Sequence, residues 1–452
     1  MSTDSASARH AIAVVGAAVA GSEIARILAE RGALVIAIEQ NARPYGKIED
    51  GLPRWHVQQR HEEYAGIDRR LALPNIEYVP LTGLGRDLAF DDLRLKWGLS
   101  AIVLAHGAWR DRPFPVDGAD RFVDRGLVYQ NNFIYWFNHY PEQAYQGPRY
   151  ELSPGAIVVG GGLASIDVIK ALQIEYALGA LKARGIVGDL VAIEREGIEP
   201  VLAAHGLKWA ELGIVPGKLF YRRRVLDMPL SDIPADASPK HADALRGARA
   251  KILAKAQHKF LFDFQELRAP AGLIVEGDRM AGVRFDRTEV EGGRVRIAAG
   301  PPEAVRAALT ISSIGSIPEP IDGIPHQGEV YSYANHEIGL LMEGQTPVFA
   351  AGNALTGRGN IKASLDSGSE VGIRVAEAYL GLSGEAPKLA EGARADAKAA
   401  AGAVSGAMNA RPKLAPEAIA AIMRRVRERQ RAVGYEGDYR AWIKRVTPPD
   451  LQ

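Results

Sequence analysis

Residues 12–21 read IAVVGAAVAG, and residues 34–38 read LVIAI and are followed by Glu39. Between these apolar stretches lies a run with helical spacing that ends at Gly32. The pattern predicts a buried strand, a turn of small residues, a helix and a second buried strand that ends in a carboxylate. A βαβ unit of this kind binds the pyrophosphate of a dinucleotide at the start of its helix.

The small residues of this turn have predicted roles in dinucleotide binding. Gly16 would form the tight turn, Ala18 would lie against the pyrophosphate and Gly21 would allow close helix packing. Glu39 would accept hydrogen bonds from the ribose hydroxyls. Ala18 departs from the pattern, which prefers glycine there, and an ordinary βαβ unit with small packing residues is the alternative interpretation.

The composition excludes several classes of site and partner. The 452 residues, 47% of them hydrophobic, suffice for two or three globular domains. A net charge of +1 provides no global field for nucleic acid or a membrane surface. No apolar run reaches the length of a membrane span and the first residues lack a signal-peptide core, so we expect a cytoplasmic protein. Because the chain has no cysteine, iron–sulfur clusters, zinc–thiolate sites and redox disulfides are excluded. We expect no metal, and a bound organic cofactor would carry any electrons.

A second strand, glycine loop and helix is predicted at residues 156–168, which read AIVVGGGLASIDV. Its loop contains Gly160 and Gly162, and Ser165 is the small residue where the helix would pack closely on the strand. Two such units predict an α/β fold with two Rossmann-like domains, one for each of two dinucleotides. The pair is more specific than either loop alone, because a dehydrogenase with a single cofactor needs only one unit.

The strand that meets the second ribose has two candidates. Residues 189–193 are strand-like and end in Glu194-Arg195, which would favour the free 2′-hydroxyl of NAD. Residues 218–221 are also strand-like and end in Arg222-Arg223-Arg224, which would favour the 2′-phosphate of NADP. The second candidate requires an insertion over residues 180–217. The residues alone leave both candidates open.

The order of these segments predicts the domain organisation. The first dinucleotide-binding domain begins at residues 1–150, with an aromatic and proline-rich crossover at its end, and the second is inserted at 151–325. Residues 326–384 return to the first domain through the apolar strand VFAAGN and a following helix. Residues 385–415 form a linker rich in alanine and glycine, and 416–452 form a helical tail. The tail could dock on the body, pair with another subunit or meet a partner.

A lysine stripe is predicted on a helix at residues 241–260. Lys251, Lys255 and Lys259 recur every four residues, which places them on one face of that helix. We interpret this face as solvated, because lysine is rarely buried.

Several segments together resemble adrenodoxin-reductase-like ferredoxin:NADP reductases and the small, NADPH-oxidising subunit of glutamate synthase. The resemblance extends roughly from Ala11 to Leu380. It is carried by both glycine loops, Glu39, Tyr45-Gly46, residues 105–110 (AHGAWR), Tyr221 to Pro229, residues 312–315 (SSIG) and residues 348–361. The glutamate synthase subunit has a cysteine-rich iron–sulfur region, which a chain without cysteine cannot provide.

The resemblance implies FAD in the first domain and NADPH in the second, and it favours Arg222 and Arg223 as ligands of the 2′-phosphate. It also implies flavin contacts from the strand that ends at Gly352-Asn353 and from the helix that starts near Ile361. Most relatives have Asp or Trp at the position of Asn353. The predicted cofactor-binding residues are Gly16, Ala18, Gly21, Glu39, Tyr45, Gly46, His106, Gly107, Gly160, Gly162, Leu163, Ala164, Ser165, Arg222, Arg223, Gly352, Asn353, Gly359, Asn360 and Ile361.

Two side chains are predicted to handle protons or to position the cofactors. His56 falls in the loop where adrenodoxin reductases carry a histidine near the flavin, and a histidine with a purely structural hydrogen bond is the alternative. Asp167 matches a position of the family, although an aspartate in the first turn of a helix also stabilises the helix dipole. His106 is predicted to meet the cofactor through its backbone. Because the cofactors perform the hydride transfer, we expect no catalytic triad.

The leading hypothesis is an FAD-containing NADPH oxidoreductase that passes a hydride from NADPH to flavin N5 and electrons onward to a small acidic redox protein such as a ferredoxin. The alternative is the electron-input subunit of a larger complex that supplies a synthase, a quinone or another small acceptor, with the tail as an assembly element for an oligomer. A catalytically silent flavin-binding protein would not need the second dinucleotide site. A flavin monooxygenase is disfavoured because no oxygenation motif separates the two loops.

Overall fold

The computed structural model of the chain describes residues 9–234, 236–382 and 411–448. The linker predicted over residues 385–415 lies mostly outside these ranges. Within the described ranges, no helix combines the length and the apolar character that crossing a bilayer requires.

The strands are short, as is usual in α/β proteins, and most belong to two parallel sheets. They are β1 (Ala11–Val15), β2 (Leu34–Ile38), β3 (Ile76–Val79), β4 (Ala101–Leu104), β5 (Arg110–Asp111), β6 (Leu127–Tyr129), β7 (Ile157–Gly160), β8 (Lys218–Phe220), β9 (Asp263–Gln265), β10 (Arg268–Glu276), β11 (Arg279–Glu291), β12 (Arg294–Ile297), β13 (Glu303–Arg306), β14 (Thr310–Ser313), β15 (Ser316–Ile317), β16 (His326–Gln327), β17 (Val330–Tyr331), β18 (Leu340–Met342) and β19 (Val348–Ala350).

The α-helices alternate with these strands in the pattern of βαβ units. They are α1 (Val19–Glu30), α2 (Lys47–Asp50), α3 (Val57–Leu71), α4 (Phe90–Lys96), α5 (Gln130–His139), α6 (Leu163–Lys182), α7 (Leu190–Glu196), α8 (Ile198–Ala203), α9 (Pro239–Phe260), α10 (Asn353–Thr356), α11 (Ile361–Arg374), α12 (Pro416–Ala432) and α13 (Tyr439–Val446).

The first sheet has the strand order β18-β19-β4-β1-β2-β3, and its strands are parallel except for β18. Side chains from both faces of these strands are buried, which explains why their sequences are continuous apolar runs. Helices α1, α3, α11 and α13 cover one face, and α4 and α12 cover the other. Because β1 lies between β2 and β4, the carboxyl ends of the strands open a crevice at this switch point.

The second sheet has the strand order β6-β14-β7-β8-β9, and every pair in it is parallel. Helices α5, α6, α7, α8 and α9 pack on one face. An antiparallel sheet of β10 to β13 packs on the other, where Phe220 stacks on Phe285 with ring centroids 4.1 Å apart. The predicted α/β class with two dinucleotide-binding sheets and a helical tail is confirmed.

The chain passes between the two sheets at β5 and β15, which pair antiparallel as a two-stranded ribbon. Strand β6 and helix α5 already belong to the second sheet, although they precede the boundary that we predicted between residues 150 and 151. Phe133, Trp136 and Phe137 of α5 face the core of the second sheet, which accounts for much of the aromatic composition of the predicted crossover.

The first candidate for the strand at the second ribose is wrong. Residues 189–193, which we considered strand-like, form the start of helix α7, and Asp189 caps this helix by accepting a hydrogen bond from the Val191 amide at 2.8 Å. Strand β8 instead lies parallel to β7. A short continuous apolar run such as residues 190–193 is compatible with both structures, and the capping aspartate is the local signal that favours a helix.

Candidate functional site

One cleft of about 1740 Å³ lies between the carboxyl ends of the two sheets. Typical pockets for a small ligand measure about 300 to 1,000 Å³, so this cleft has room for more than one such molecule. Most of the predicted site residues line it. They are Gly16, Ala18, Glu39, Tyr45, Gly46, His56, His106, Gly107, Gly160, Gly162, Leu163, Ala164, Ser165, Asp167, Arg222, Gly352, Asn353, Gly359, Asn360 and Ile361.

The first glycine loop requires its glycines for steric reasons. Gly16 has a φ of +88°, and a Cβ atom there would lie 2.6 Å from the His106 Cα atom. A Cβ atom on Gly21 would overlap the carbonyl oxygen of Gly16. Helix α1 therefore starts directly against the turn, as predicted, and Gly21 contributes through packing and not through the wall of the cleft.

Ala18 is accommodated by a second glycine. The Ala18 methyl group faces Gly46, where a Cβ atom would lie 2.9 Å from it, and Gly46 has a φ of +52°. The methyl group thus fills space that a side chain at position 46 would otherwise occupy. No side chain caps the start of α1, so its first amides remain available to an anion.

Glu39 is buried in the wall of the cleft and is held by the backbone. Its Oε2 atom accepts a hydrogen bond from the Ala17 amide at 2.9 Å, and its Oε1 atom accepts one from the Asn41 amide at 3.0 Å. Burial raises the pKa of this carboxyl to about 7, against the lowering effect of the two amides. Each carboxylate oxygen can accept further hydrogen bonds, so the predicted contact with ribose hydroxyls is compatible with this geometry.

The His106 side chain is partly buried and contacts a tyrosine. Its Nε2 atom is 2.8 Å from the Tyr331 hydroxyl, and burial lowers its pKa to about 4. The backbone of His106 is the part that contacts the Gly16 turn. That this residue acts on a cofactor through its backbone and not as a base stays a prediction.

Two glycines of the second loop are likewise required for steric reasons. A Cβ atom on Gly160 would overlap the Ser313 carbonyl oxygen, and one on Gly161 would overlap the Tyr221 ring, whereas Gly162 faces open space. Ser165 is fully buried and donates a hydrogen bond to the Ser313 carbonyl oxygen at 3.1 Å, so it joins α6 to strand β14. The start of α6 at Leu163 and Ala164 opens into the cleft.

The three consecutive arginines after β8 have different contacts. Arg222 is exposed and lines the cleft, while its carbonyl oxygen accepts a hydrogen bond from Thr288 at 2.8 Å. Arg223 instead donates a hydrogen bond to the Gly293 carbonyl oxygen at 3.0 Å, in the turn between β11 and β12. Arg224 forms an ion pair with Asp227 at 2.9 Å. The structure therefore brings only Arg222 of the two predicted arginines to the cleft.

His56 and Asp167 both lie around Lys170. The Lys170 ammonium is 3.6 Å from an Asp167 carboxylate oxygen and 3.2 Å from one of Glu194. Burial raises the pKa of Asp167 to about 6, and burial together with Lys170 lowers the pKa of His56. His56 precedes α3 in the first domain and Asp167 lies in α6 of the second, so the two sides of the cleft meet at this cluster.

Glu194, a candidate for the NAD ribose, is instead an ion-pair partner on helix α7. Its role as the terminus of a strand is excluded by the helix around it. The neighbouring Arg195 pairs with Glu196 at 2.7 Å.

The return segment brings a third helix start to the cleft. The Gly352 amide donates to the Ser367 hydroxyl at 3.0 Å, and the Asn360 side chain caps α11 by accepting from the Ala363 amide at 2.7 Å. Asn353 begins α10 and lies near Gly359. The cap uses one amide of the first turn of α11, and Ile361 faces the cleft at its start.

Lys47 lines the cleft, although no sequence pattern predicts it there. Its ammonium is buried in the cleft, 3.0 Å from the Asn131 Oδ1 atom and 3.2 Å from the Ser316 hydroxyl. Burial lowers its pKa to about 8, although Asp111 opposes this effect. Lys47 thus joins the first domain to the ribbon of β5 and β15. No local pattern marks it, because its partners come from distant parts of the chain.

Two members of the lysine stripe on α9 line the cleft, whereas the sequence pattern predicts a solvated helix face. Lys255 and Lys259 lie in its wall together with Ile252. Lys251 is exposed. The four-residue spacing was the correct signal for a shared face, but what that face meets depends on the packing of α9 against α6.

Comparisons with known proteins agree with this geometry. The chain is 26% identical over 351 residues to the mitochondrial NADPH:adrenodoxin oxidoreductase of Arabidopsis thaliana, across 70% of this chain and 69% of that protein. It is 27% identical over 176 residues to the glutamate synthase (NADPH) small chain of Mycobacterium tuberculosis, across 37% of this chain and 34% of that protein. The chain therefore matches about a third of the length of the second relative.

A solved structure has the same fold. Mycobacterium tuberculosis FprA in complex with NADPH superimposes with a TM-score of 0.64 and 17% sequence identity, across 94% of this chain and 91% of that one. No model of a protein family matches the chain. The predicted resemblance to oxidoreductases that use FAD and NADP is confirmed: the chain is similar over most of its length to the adrenodoxin-reductase-like enzymes and, over a shorter part, to the glutamate synthase small subunit.

Proposed function

We propose that the chain is an NADPH oxidoreductase in which FAD binds at the first glycine loop and NADPH binds at the second. The observation that carries the proposal is the meeting of both loops in one cleft, at the carboxyl ends of two parallel sheets. Two helix starts face this cleft and suit two pyrophosphates: the one at Val19 has no side-chain cap, and at the one at Leu163 the Ser165 side chain accepts only from the Gly162 amide.

The residues of the first site fit FAD. The cradle around Gly16 leaves no room for a side chain, and the Glu39 carboxylate lies where a ribose diol would bind. The start of α11 near Ile361 directs the positive end of the helix dipole into the cleft, which favours negative charge on a bound ring system. FAD supplies the capacity to accept a hydride and to pass electrons on singly or in pairs, and the protein supplies binding and orientation.

The second site suits NADPH through Arg222. A guanidinium group at the end of β8 can form paired hydrogen bonds to a 2′-phosphate, and the exposed side chain of Arg222 is free to reach the cleft. We retain Arg223 as a weaker candidate, because its guanidinium already contacts Gly293. The Gly160 and Gly162 loop would contact the pyrophosphate.

His56 and Asp167 are proposed to act where the two cofactors meet. They belong to opposite sides of the cleft and share Lys170 as a neighbour. Their role would be to orient the nicotinamide and to hold or move a proton at His56. Replacement of His56 by Gln should slow reduction of the flavin by NADPH and change its pH dependence while FAD stays bound, since His56 is not part of the first glycine loop.

The proposed acceptor is a small acidic redox protein of the ferredoxin type. The similarity to an adrenodoxin oxidoreductase supports this acceptor. The chain itself contains no cysteine with which to build an iron–sulfur centre, so electrons would leave the flavin for an external partner.

The test is anaerobic stopped-flow mixing of the purified protein with NADPH and, separately, with NADH. We expect a yellow protein whose flavin absorbance is bleached faster by NADPH and recovers on addition of ferredoxin. Absence of bound flavin would contradict the entire proposal. Bleaching by NADH but not by NADPH would contradict the role of Arg222.

The second candidate is the electron-input subunit of a larger complex, which the partial similarity to a glutamate synthase small chain favours. Stable hetero-oligomers from the native source, with weak activity toward free ferredoxin, would support this candidate. A monomer with rapid ferredoxin reduction would support the first.

A further inference from the structure

The C-terminal helices wrap around the edge of the first sheet. Strand β3 is the edge strand, and α12 packs on one face of the sheet through Ile419, Ile422 and Val426. Helix α13 packs on the opposite face through Tyr439 and Trp442. The chain therefore crosses the edge between the two helices and covers both faces next to β3.

Polar contacts fasten this tail to β3. The Gln430 side chain, which is 1% exposed, donates a hydrogen bond to the Tyr78 carbonyl oxygen at 2.8 Å. Arg427 forms two hydrogen bonds to the Glu77 carboxylate, each of 2.9 Å. An edge strand exposes backbone groups that invite pairing with other chains, and these contacts cover the edge.

Helix α13 also reaches the loop that follows Glu39. The Trp442 indole donates a hydrogen bond to the Ala42 carbonyl oxygen at 2.7 Å. The Tyr439 hydroxyl donates to Asp68 Oδ1 at 2.7 Å, and the Tyr45 hydroxyl lies 3.2 Å from each oxygen of the same carboxylate. Asp68 thus connects a tail residue to a residue that lines the cleft.

We infer that the C-terminal helices form part of the first dinucleotide site, with Tyr439 and Trp442 as positioning residues for the loop from residue 40 to Gly46. Tyr439 fixes Tyr45 through Asp68, and Trp442 fixes the backbone at Ala42. The loop is thereby held at two points on the side away from the cleft. The inference rests on the proposed function only for the identity of the dinucleotide, which we take to be FAD.

The position of Tyr45 explains how this contact reaches the cofactor. Its ring stacks on Tyr64 with centroids 3.9 Å apart, and the next residue, Gly46, is the one that faces the Ala18 methyl group of the glycine loop. A shift of Tyr45 would therefore displace Gly46 from Ala18. A tail that only covered the sheet edge would affect stability without this specific effect on the cofactor.

The test compares two buried tyrosines of the tail in the full-length protein. Tyr439→Phe removes only the hydroxyl that contacts Asp68. Tyr435→Phe is the matched control, because Tyr435 packs on Tyr78 and Trp442, with ring centroids 5.9 and 5.5 Å away. The dissociation constant for FAD is measured by quenching of flavin fluorescence on titration with apoprotein, and the melting temperature of each apoprotein is recorded.

We expect Tyr439→Phe to weaken FAD binding about threefold to tenfold, the effect of one buried hydrogen bond, and to change the visible spectrum of the bound flavin. Tyr435→Phe should leave the affinity unchanged at a similar melting temperature. Tyr45→Phe and Tyr439→Phe should be less than additive when combined, because both act through Asp68.

Equal FAD affinities for Tyr439→Phe, Tyr435→Phe and the unmodified chain would overturn the inference while leaving the proposed function intact. If the unmodified chain binds no FAD, both fail together. Should Tyr439→Phe not fold, Trp442→Phe provides the same comparison, since it keeps an aromatic ring and loses the hydrogen bond to Ala42. An unchanged FAD affinity in that variant would likewise overturn the inference.

Discussion

In both glycine loops, neighbouring atoms leave no room for a side chain at some of the glycines, but the surroundings of the two loops differ. Around the first loop, both oxygens of Glu39 are held by backbone amides, Gly46 closes on Ala18, and the tail supports the loop from behind. Around the second loop, Gly162 faces open space and Arg222 is exposed. The first loop is thus more enclosed than the second, which favours the proposed assignment of FAD to the first site and of NADPH to the second.

The largest loss of FAD binding is expected from Gly21→Ala, which tests the close packing at the first glycine loop. The added methyl group would overlap the Gly16 carbonyl oxygen, so either the loop or α1 must shift. We expect the free energy of unfolding to fall by about 1 to 3 kcal/mol, the usual cost of overpacking, and FAD affinity, measured by flavin titration, to fall because the loop is displaced. Gly179→Ala in α6 is the control, because a Cβ atom there meets nothing within 4 Å. Unchanged flavin content in Gly21→Ala would contradict the steric argument.

Replacement of Glu39 by Gln tests whether the buried carboxylate holds the loop and the ribose. The amide nitrogen of Gln cannot accept a hydrogen bond, so the Ala17 or the Asn41 amide loses its partner. We expect FAD to bind more weakly by about 1.5 to 3 kcal/mol, with NADPH affinity unaffected. Glu30→Gln, at the exposed end of α1, is the control. Equal losses in the two variants would show that net charge, and not this contact, matters.

Separate alanine substitutions of Arg222 and Arg223 test the proposed NADPH site at the second glycine loop. Arg222→Ala should weaken NADPH binding by about 1.5 to 3 kcal/mol, because it removes a charge-assisted contact to the 2′-phosphate. Arg223→Ala should have a smaller effect, since its side chain contacts Gly293. The affinities are measured by anaerobic titration, with NADH as the control ligand. A loss of the same size for NADH would contradict a role in phosphate recognition.

The last effect concerns folding stability at the junction between the two domains and not cofactor affinity. Burial lowers the pKa of His139, but its hydrogen bonds to Asp50 and Glu142 outweigh this effect and raise the pKa to about 9. Because the folded value exceeds the ordinary value of 6.5, the stabilisation is complete below pH 6.5 and is lost as the pH rises through about 9. By linkage, a pKa raised from 6.5 to about 9 corresponds to about 3 kcal/mol of stabilisation lost over this range.

The measurement is the free energy of unfolding by urea at pH 6 and at pH 9.5, for the unmodified chain and for His139→Gln. The difference between the two pH values should shrink in the variant, which cannot titrate. Tyr135→Phe, beside the His139 ring, is a control that leaves the histidine in place. An equal pH dependence in His139→Gln would exclude this ion pair as its source.

Much of the first site could be predicted from local sequence. A turn of small residues between two apolar strands admits few structures, and Gly16, Gly21 and Glu39 occupy the predicted positions because sterics and chain direction dictate them. The same holds for Gly160 and Ser165 at the second loop. The helical tail predicted over residues 416–452 is likewise observed, as the helices Pro416–Ala432 and Tyr439–Val446.

Local sequence patterns were enough to predict two strand–glycine–helix units, the absence of any cysteine-based redox centre and a helical tail. The tertiary structure decided which strand ends at the second ribose, that Lys255 and Lys259 face the cleft, that Lys47 joins the domains and that the tail docks on β3. The physical reason is range: steric and periodic patterns act within about a turn of chain, whereas these four outcomes depend on contacts between segments that are distant in sequence.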